Sequence, residues 1–204
     1  MVQVHTLVLG RLQTNCYIVH EEKSAACVVV DPAADPEKIL DFVRGKNLTI
    51  EAIFLTHGHF DHVGAAEALR AVTGCALWMH KGDAHYRFHP TIDFLYPLHD
   101  KDLGTVCYCE DGSEISAGGL SFTVFSTPGH SQGSVCYLAE DVLLSGDTLF
   151  AGGCGRTDLP GSDPESIFIS LADLAELDDK IRVFPGHGES TTLAREKKYN
   201  PYMR

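Results

Sequence analysis

The stretch Thr56-His57-Gly58-His59-Phe60-Asp61-His62 places four side chains that can bind a metal within six residues. Histidine and aspartate are ligands that zinc and similar divalent ions accept. The apolar run 52–55 precedes the stretch and predicts a strand that ends where the histidines begin. Because alternate residues of an extended segment point the same way, His57, His59 and Asp61 are expected to converge, with His62 turned inward at the start of a helix. The stretch therefore predicts a metal site at the end of a strand.

Three more candidate ligands stand in the same context later in the chain. Each follows an apolar run and a glycine; they are His130, Asp147 and His187. Ligands at the ends of rigid strands leave the loops above them free to shape a pocket. Together the chain offers seven ligands, whereas one catalytic zinc ion needs about three and an open position. We therefore predict two adjacent divalent ions, roughly 3.5–4 Å apart, with zinc as the first choice and iron or manganese as alternatives.

Alternating apolar runs and turn residues predict a fold of mixed α/β (α+β) type. Strands are predicted at 2–9, 15–20, 26–30, 51–55, 75–79, 120–125, 134–139, 141–145 and 181–184, and helices at 35–44, 62–73, 163–176 and 190–198. In the first helix Asp35 is predicted to be the N-cap and Pro36 the first helical residue. The stretch 80–114 predicts a loop-rich segment near the site, with His85, Tyr86 and His89 at the surface or lining a pocket. A length of 204 residues predicts one domain, 1–204.

Charge and cysteine content limit the possible partners and the compartment. The net charge of −12 argues against a nucleic acid or an anionic membrane as a partner, although two bound cations would still attract an anion to the site. The seven cysteines form no CxxC pair, which favours buried thiols in a reducing cytosol. The first residues lack the features of a signal peptide, and no apolar run is long enough to span a membrane. We expect a cytoplasmic protein that acts on a small molecule, with an oligomeric state that the sequence leaves open.

At these residues the sequence resembles the metallo-β-lactamase superfamily. The resemblance covers nearly the whole chain and includes Val28-Val29-Val30-Asp31-Pro32 and the segment 57–62. It implies a four-layer αββα sandwich with the site at one edge of two sheets. It also implies that one metal is held by His57, His59 and His130, the other by Asp61, His62 and His187, and that Asp147 bridges them. Asp31 is implied to support the metal-binding loop without being a ligand.

Within that superfamily the chain is similar to the short glyoxalase II-like (hydroxyacylglutathione hydrolase-like) group. The matching segments are 127–134, 155–158 and 185–188. The resemblance implies a metal-dependent thioesterase in which a metal-bridging hydroxide attacks a thioester such as S-lactoylglutathione, with Asp61 as the residue that orients the hydroxide. Only 17 residues follow His187, so we expect the C-terminal helical region that grips glutathione in long enzymes to be absent.

Two other activities of the same fold are weighed against the hydrolase. The segment 153–158 also resembles persulfide dioxygenases, which use one iron held by two histidines and an aspartate. His187 favours the two-metal hydrolase, because a single iron does not need that ligand. A β-lactamase is not expected without an export signal. Arg156 and Asp158 are interpreted as supporting residues, either as an ion pair that fixes a loop or as groups that contact substrate.

Overall fold

The computed structural model describes residues 1–84 and 106–204, and its first sheet is built mainly from the N-terminal part of the chain. Its strands lie side by side in chain order: β1 (Val2–Leu9), β2 (Thr14–Glu21), β3 (Ala26–Val30), β4 (Thr49–Phe54), β5 (Ala76–His80) and β6 (Val106–Cys109). The pairs β1–β2 and β2–β3 are antiparallel, whereas β3 to β6 run parallel. The loops that follow the parallel strands β3 and β4 therefore leave the sheet at the same edge.

The second sheet is built from the C-terminal part. Its spatial order is β14-β13-β10-β9-β8-β7, with β7 (Glu114–Ala117), β8 (Leu120–Ser126), β9 (Val135–Ala139), β10 (Val142–Gly146), β13 (Arg182–Pro185) and β14 (Thr191–Thr192). Only the β10–β13 pair is parallel among the strand pairs of this sheet in the described residues. A small antiparallel pair, β11 (Leu149–Phe150) and β12 (Gly153–Cys154), stands apart from it.

Helices cover the outer face of each sheet. They are α1 (Pro36–Gly45), α2 (Phe60–Val63), α3 (Ala66–Thr73), α4 (Pro164–Ala175) and α5 (Leu193–Tyr199), with short 3₁₀ turns at Lys81–Asp83 and Pro201–Met203. An apolar cluster joins α1 and α3 to the first sheet, and another joins α4 and α5 to the second. No helix in residues 1–84 and 106–204 is long and apolar enough to cross a membrane.

The core between the sheets makes the molecule four layers deep. The Phe54 ring of the first sheet packs edge-on against Phe122 of the second at 5.0 Å, and lies 4.7 Å from the Tyr137 ring. All three side chains are fully buried, and alternating aliphatic residues of both sheets extend this core. The order helix, sheet, sheet, helix confirms the predicted αββα sandwich.

The predicted helix 62–73 is wrong as a single helix, because the chain breaks between α2 and α3. The Ala65 N–H donates to the Pro32 carbonyl at 2.8 Å instead of continuing the helical ladder. At Gly64 a Cβ atom would lie 2.3 Å from the Ala33 carbonyl oxygen, so only glycine allows this close approach. The loop after β3 therefore ends α2 after one turn.

Other departures from the predicted elements are smaller. Asp35 occupies the N-cap position but has a left-handed φ of 52° and no side-chain cap; its carboxylate pairs with Lys38 at 2.7 Å instead. The helix predicted at 190–198 starts only at Leu193, since Thr191–Thr192 pair with β13. The stretch 80–114 contains β6, which makes it less loop-rich than expected. His85, Tyr86 and His89 lie outside the described residues.

Candidate metal centre

The site is built where strand ends of the two sheets meet. The loop after β4 comes from the first sheet, and the loops after β8, β10 and β13 come from the second. Hydrogen bonds between the sheets hold this edge closed: the Val135 N–H donates to the Thr56 carbonyl at 2.8 Å, and the Tyr17 hydroxyl donates to the Pro185 carbonyl at 2.6 Å. The Asn15 side chain adds bonds to the Pro185 and Gly188 carbonyls. The candidate ligands are therefore carried by cross-linked, rigid elements.

The first triad consists of His57, His59 and His130. One ring nitrogen from each lies within 4.8 Å of the other two, a spacing that can hold one metal ion. The shortest separation, 2.8 Å, joins Nδ1 of His59 to Nε2 of His130. His57 and His130 are almost fully buried.

The second triad consists of Asp61, His62 and His187, whose ligand atoms also lie within 4.8 Å of one another. Oδ2 of Asp61 is 3.3 Å from Nε2 of His187 and 3.7 Å from Nε2 of His62. Both Asp61 and His62 belong to α2, so they are brought inward by one helical turn and not by the alternation of an extended strand.

Asp147 lies between the two triads. Its Oδ1 is 3.4 Å from Nε2 of His62, while its Oδ2 is 3.4 Å from Nε2 of His130 and 3.7 Å from Nε2 of His187. One carboxylate therefore faces both triads, as a bridging ligand would. A Cβ atom at position 186 would lie 2.2 Å from Oδ1 of Asp147, so glycine is needed directly after β13, where the chain passes the site.

Hydrogen bonds on the outer side of the imidazole rings fix the orientation of three histidines. Nδ1 of His62 donates to Oδ2 of Asp31 at 2.8 Å, and Nδ1 of His130 donates to the Arg156 carbonyl at 2.8 Å. The Thr56 hydroxyl donates to Asp31, so it accepts from Nδ1 of His57 at 3.1 Å. A proton on each outer nitrogen leaves the Nε2 lone pair pointing into the site, as metal ligation requires.

Asp31 is the acceptor on which much of this arrangement depends. It is 2% exposed, and its carboxylate receives the Thr56 N–H, the Thr56 hydroxyl and the His62 ring. These three donors occupy its oxygens, which places Asp31 behind the second triad as a support. Its own backbone N–H is bonded to the Phe54 carbonyl, so it is fixed to β4.

Three buried polar atoms that face the centre have no hydrogen-bond partner in the described residues: Nε2 of His57, Nε2 of His62 and Oδ1 of Asp147. Buried nitrogen and oxygen atoms are rarely left unpartnered, because desolvation costs about 1–3 kcal/mol for each. All three atoms belong to predicted ligands. The donor set, histidine nitrogens with carboxylate oxygens, therefore fits divalent cations.

Electrostatics distinguish the two triads. Burial, together with repulsion from His62 and His59, lowers the pKa of His57, and burial with the nearby His130 lowers the pKa of His59 to about 3. These rings are uncharged at neutral pH, the form that binds a metal.

In the second triad, nearby carboxylates have the larger influence on the histidine pKa values. Burial works against protonation of His62, but Asp147 and Asp31 raise its pKa to about 9. The hydrogen bond to Asp61 raises the pKa of His187, while His187 and His62 hold the pKa of Asp61 below its usual range in spite of burial. The carboxylates attract positive charge to this point, and a divalent ion would supply it.

A pocket of about 320 Å³ opens beside the second triad. It lies between the β1–β2 turn and the β3–α1 loop. Its lining includes Leu12, Ala34 and Phe60, together with Asp61 of the second triad. The Thr14 hydroxyl, also in the lining, donates to Oδ2 of Asp61 at 3.1 Å. The pocket is large enough for part of a small-molecule substrate.

Arg156 and Asp158 form an ion pair at the protein surface. Two hydrogen bonds of 2.6 and 2.7 Å join the guanidinium to the carboxylate, and the side chains are 62% and 68% exposed. Arg156 contacts the metal centre through its backbone carbonyl, which accepts a hydrogen bond from Nδ1 of His130.

Sequence reasoning missed several residues that complete the site. The most prominent is Asp83, a fully buried carboxylate that accepts from Gly58, Ser131 and Gly133. Asp83 follows a strand and a glycine, the same signal that identifies His130, Asp147 and His187, but the sequence predicts a loop-rich segment at 80–114 and so gives Asp83 no role. Thr14 carries no such signal, because only the fold brings it to Asp61.

Comparison with known proteins agrees with this geometry. The family model of the metallo-beta-lactamase superfamily matches residues 9–187, and the chain belongs to that superfamily. Hydroxyacylglutathione hydrolase GloC of Haemophilus influenzae is 31% identical over 99% of this chain and 98% of its own length. The protein is thus a metallo-hydrolase superfamily member with a metal-binding site.

Two solved structures are also similar over nearly their full length. The BLEG-1 B3 metallo-beta-lactamase is 34% identical with a TM-score of 0.86, and covers 100% of this chain and 99% of its own. TTHA1623, solved in a di-iron-bound form, is 38% identical with a TM-score of 0.87, and covers 98% of this chain and 100% of its own. The fold therefore occurs in relatives whose names describe different reactions, and in one that was solved with two irons bound.

Proposed function

We propose that the protein is a thioesterase with a dinuclear metal centre, which hydrolyses glutathione thioesters such as S-lactoylglutathione. The observation that carries the proposal is the pair of triads with Asp147 between them, because this arrangement offers ligands for two adjacent cations. Similarity to hydroxyacylglutathione hydrolase GloC supports the substrate class. We propose zinc as the metal, with iron as the alternative that a di-iron relative favours.

When bound, two divalent cations supply a water that loses its proton near neutral pH and a positive charge that stabilises a developing oxyanion. The residues of the chain position these elements. Three outer hydrogen bonds hold the rings of His57, His62 and His130 with Nε2 inward. Asp61 is the ligand carboxylate that also lines the pocket, so we assign to its Oδ2 the role of orienting the attacking water. The Thr14 hydroxyl, which donates to that oxygen, restrains it.

The pocket beside Asp61 is the proposed site for one side of the thioester. It borders the second triad directly, so a group seated there would hold the carbonyl next to the centre. Its apolar lining from Leu12, Ala34 and Phe60 suits the carbon chain of a substrate, and Arg11 in the same lining suits a carboxylate.

Two other reactions remain candidates because specific observations favour them. Similarity to the BLEG-1 metallo-beta-lactamase favours hydrolysis of a lactam by the same centre. The segment 153–158 favours persulfide oxidation at one iron, but that chemistry leaves no task for a complete second triad.

The proposal is tested by assaying S-lactoylglutathione and a β-lactam side by side with protein whose metal content has been measured. Turnover of the thioester that a chelator abolishes and zinc restores is the expected result. Turnover of the lactam alone would replace the thioesterase by a lactamase. If the protein binds one iron per chain and consumes oxygen when a persulfide is added, the thioesterase assignment is wrong and the protein is an oxygenase.

His59→Ala tests the ligand set in the same assay. Removal of a ligand of the first triad is expected to lower metal content and to reduce kcat/KM by more than the roughly 100-fold that loss of an outer partner costs. His5→Ala is the matched control, because His5 lies on β1 and contacts His20 and Phe42 instead of the centre. Full activity and two bound metals in His59→Ala would contradict the assignment.

A further inference from the structure

Asp83 is a buried carboxylate whose oxygens are all directed at two loops of the metal centre. Oδ2 accepts from the Gly58 N–H at 2.8 Å and from the Ser131 hydroxyl at 2.7 Å, and Oδ1 accepts from the Gly133 N–H at 2.6 Å. The residue is 0% exposed. Within residues 1–84 and 106–204 no lysine, arginine or histidine forms an ion pair with it, and these three donors compensate the burial of its carboxylate there.

The donors belong to the two loops that carry the first triad. Gly58 stands between His57 and His59, and Ser131 follows His130 directly. Asp83 therefore joins the loop after β4, from the first sheet, to the loop after β8, from the second. The distance between His59 and His130 depends on how these loops are held together.

The turn that carries Asp83 packs so closely on the His130 loop that neither Gly133 nor Gly82 could be replaced by a residue with a side chain without a shift of the backbone. A Cβ atom at position 133 would lie 2.4 Å from the Asp83 backbone nitrogen and 2.7 Å from its carboxyl carbon. One at position 82 would lie 3.0 Å from the Gln132 carbonyl oxygen. The 3₁₀ turn that carries Asp83 is thus packed directly on the backbone of the His130 loop.

We propose that Asp83 is a positioning residue that sets the spacing of the first triad and thereby the affinity of the metal bound there. The proposal rests on the metal centre proposed above, and it concerns one of the two metal positions only. The second triad receives its outer support from Asp31 and Thr14, which do not contact Asp83.

The variant Asp83→Asn removes the negative charge and one of the two acceptor oxygens but keeps the size of the side chain. The amide has one oxygen and one NH₂ group, so in either orientation a backbone N–H, of Gly58 or of Gly133, faces another donor. Ser131 can reorient its hydroxyl, but a backbone N–H cannot. One of the two loops is then released while the side chain keeps its volume.

The test measures the Zn²⁺ dissociation constant by competition with a chromogenic chelator in two backgrounds. His187→Ala disables the second triad and leaves the first, whereas His59→Ala disables the first and leaves the second. Addition of Asp83→Asn is expected to weaken Zn²⁺ binding about 10- to 100-fold in the first background, the usual cost of losing an outer-shell partner, with no measurable change in the second. Equal weakening in both backgrounds, or none in either, would overturn the proposal.

Ser131→Ala provides a milder variant if Asp83→Asn does not fold. It removes one donor and leaves the carboxylate with both backbone N–H groups. A smaller weakening confined to the His187→Ala background is expected, and an unchanged or uniform affinity contradicts the proposal. The readout is independent of substrate: metal binding without thioester turnover refutes the proposed reaction alone, whereas wild-type protein that binds no metal refutes both.

Discussion

At the scale of single residues, the hydrogen-bond acceptors on the outer side of the histidine rings determine which ring nitrogen of each ligand faces the metal centre. A histidine can present either ring nitrogen, and the proton on the outer nitrogen decides which lone pair faces inward. Asp31 fixes the proton on Nδ1 of His62 by accepting its hydrogen bond directly, and that on Nδ1 of His57 through the Thr56 hydroxyl. For His130 the deciding acceptor is a backbone carbonyl, that of Arg156. A side-chain substitution at position 156 therefore leaves this acceptor in place.

Arg156→Ala decides between the two interpretations of that residue. Loss of this exposed ion pair is expected to leave the melting temperature and kcat/KM nearly unchanged, because solvent screens the pair and the backbone carbonyl that holds His130 is retained. Thermal denaturation and steady-state kinetics measure both. Asp158→Asn, which breaks the same pair, is the matched control. A large rise of KM in Arg156→Ala without one in Asp158→Asn would show that the guanidinium binds substrate.

His5 predicts a dependence of stability on pH that is separate from the metal centre. Burial, Lys46 and His20 lower its pKa in the folded chain, and its Nε2 lies 3.4 Å from Nε2 of His20. As pH falls through about 6.5, the ordinary histidine pKa, the unfolded chain binds the proton more readily, so this contribution to stability is lost. His5→Gln, unfolded by urea in chelator, should lose less stability between pH 7 and 5 than wild type. Parallel pH profiles would contradict this assignment.

At the scale of elements, the sequence predicted the strands that carry ligands because each repeats one local pattern. An apolar run and then a glycine precede each of His130, Asp147 and His187. Strand existence and ligand position are local properties, so they can be read from the chain. The break after α2 could not, since the Pro32 carbonyl that ends the helix comes from a loop about 30 residues earlier.

The same distinction explains which site residues were missed. Asp83 and Thr14 act through partners that are far away in sequence. The strand and glycine before Asp83 resemble those before the ligands but do not identify its partners, and Thr14 lacks even that signal. At Asp35 the Asp-Pro signal predicts the helix start correctly, but the residue has a left-handed φ and its carboxylate pairs with Lys38 instead of capping the helix. A capping hydrogen bond is worth only about 1 kcal/mol, so a local ion pair can take its place.

The turn between β1 and β2 and the loop between β3 and α1 form the walls of the pocket beside Asp61. Ala34→Phe is expected to fill part of this space and to lower kcat/KM about tenfold or more, mainly through KM, because a pocket discriminates by volume. Metal content should not change, since Ala34 is not among the candidate ligands. Steady-state kinetics with S-lactoylglutathione and metal analysis provide the two measurements.

Ala151→Phe is the matched control for that variant. It places the same ring in a second surface pocket of about 420 Å³, which is lined by Arg182, Phe184 and Arg195. Unchanged kinetics are expected for Ala151→Phe. Equal losses in the two variants would show that the pocket beside Asp61 does not receive substrate.

At the scale of the whole molecule, the candidate ligands connect the two halves of the sandwich. Four belong to the loop and helix after β4 in the first sheet; the other three follow strands of the second sheet, at His130, Asp147 and His187. A cation held by both groups would cross-link the sheets at one edge. The chain carries a net charge of −12, and two divalent cations would offset part of it beside the carboxylates of Asp61 and Asp147.

Metal removal should therefore lower global stability as well as activity. A ligand that binds only the folded chain adds about 2.7 kcal/mol at a free concentration 100 times its Kd. For a chain of this length that corresponds to a fall in Tm of about 5–10 °C on chelation. Differential scanning calorimetry before chelation, after it and after zinc is restored measures the shift.

His59→Ala distinguishes cross-linking from a general effect of the chelator. With the first triad incomplete, one metal position remains, so the chelator should lower Tm by less than in wild type. A shift of equal size in both proteins would mean that the first triad adds nothing to stability. No shift in wild type that has lost its zinc would mean that the sheets are held at this edge by the Val135, Asn15 and Tyr17 hydrogen bonds alone. Because those bonds join protein groups to one another and do not involve the candidate metal ligands, we expect the chelated protein to remain folded with a lower Tm, and to regain its original Tm when zinc returns.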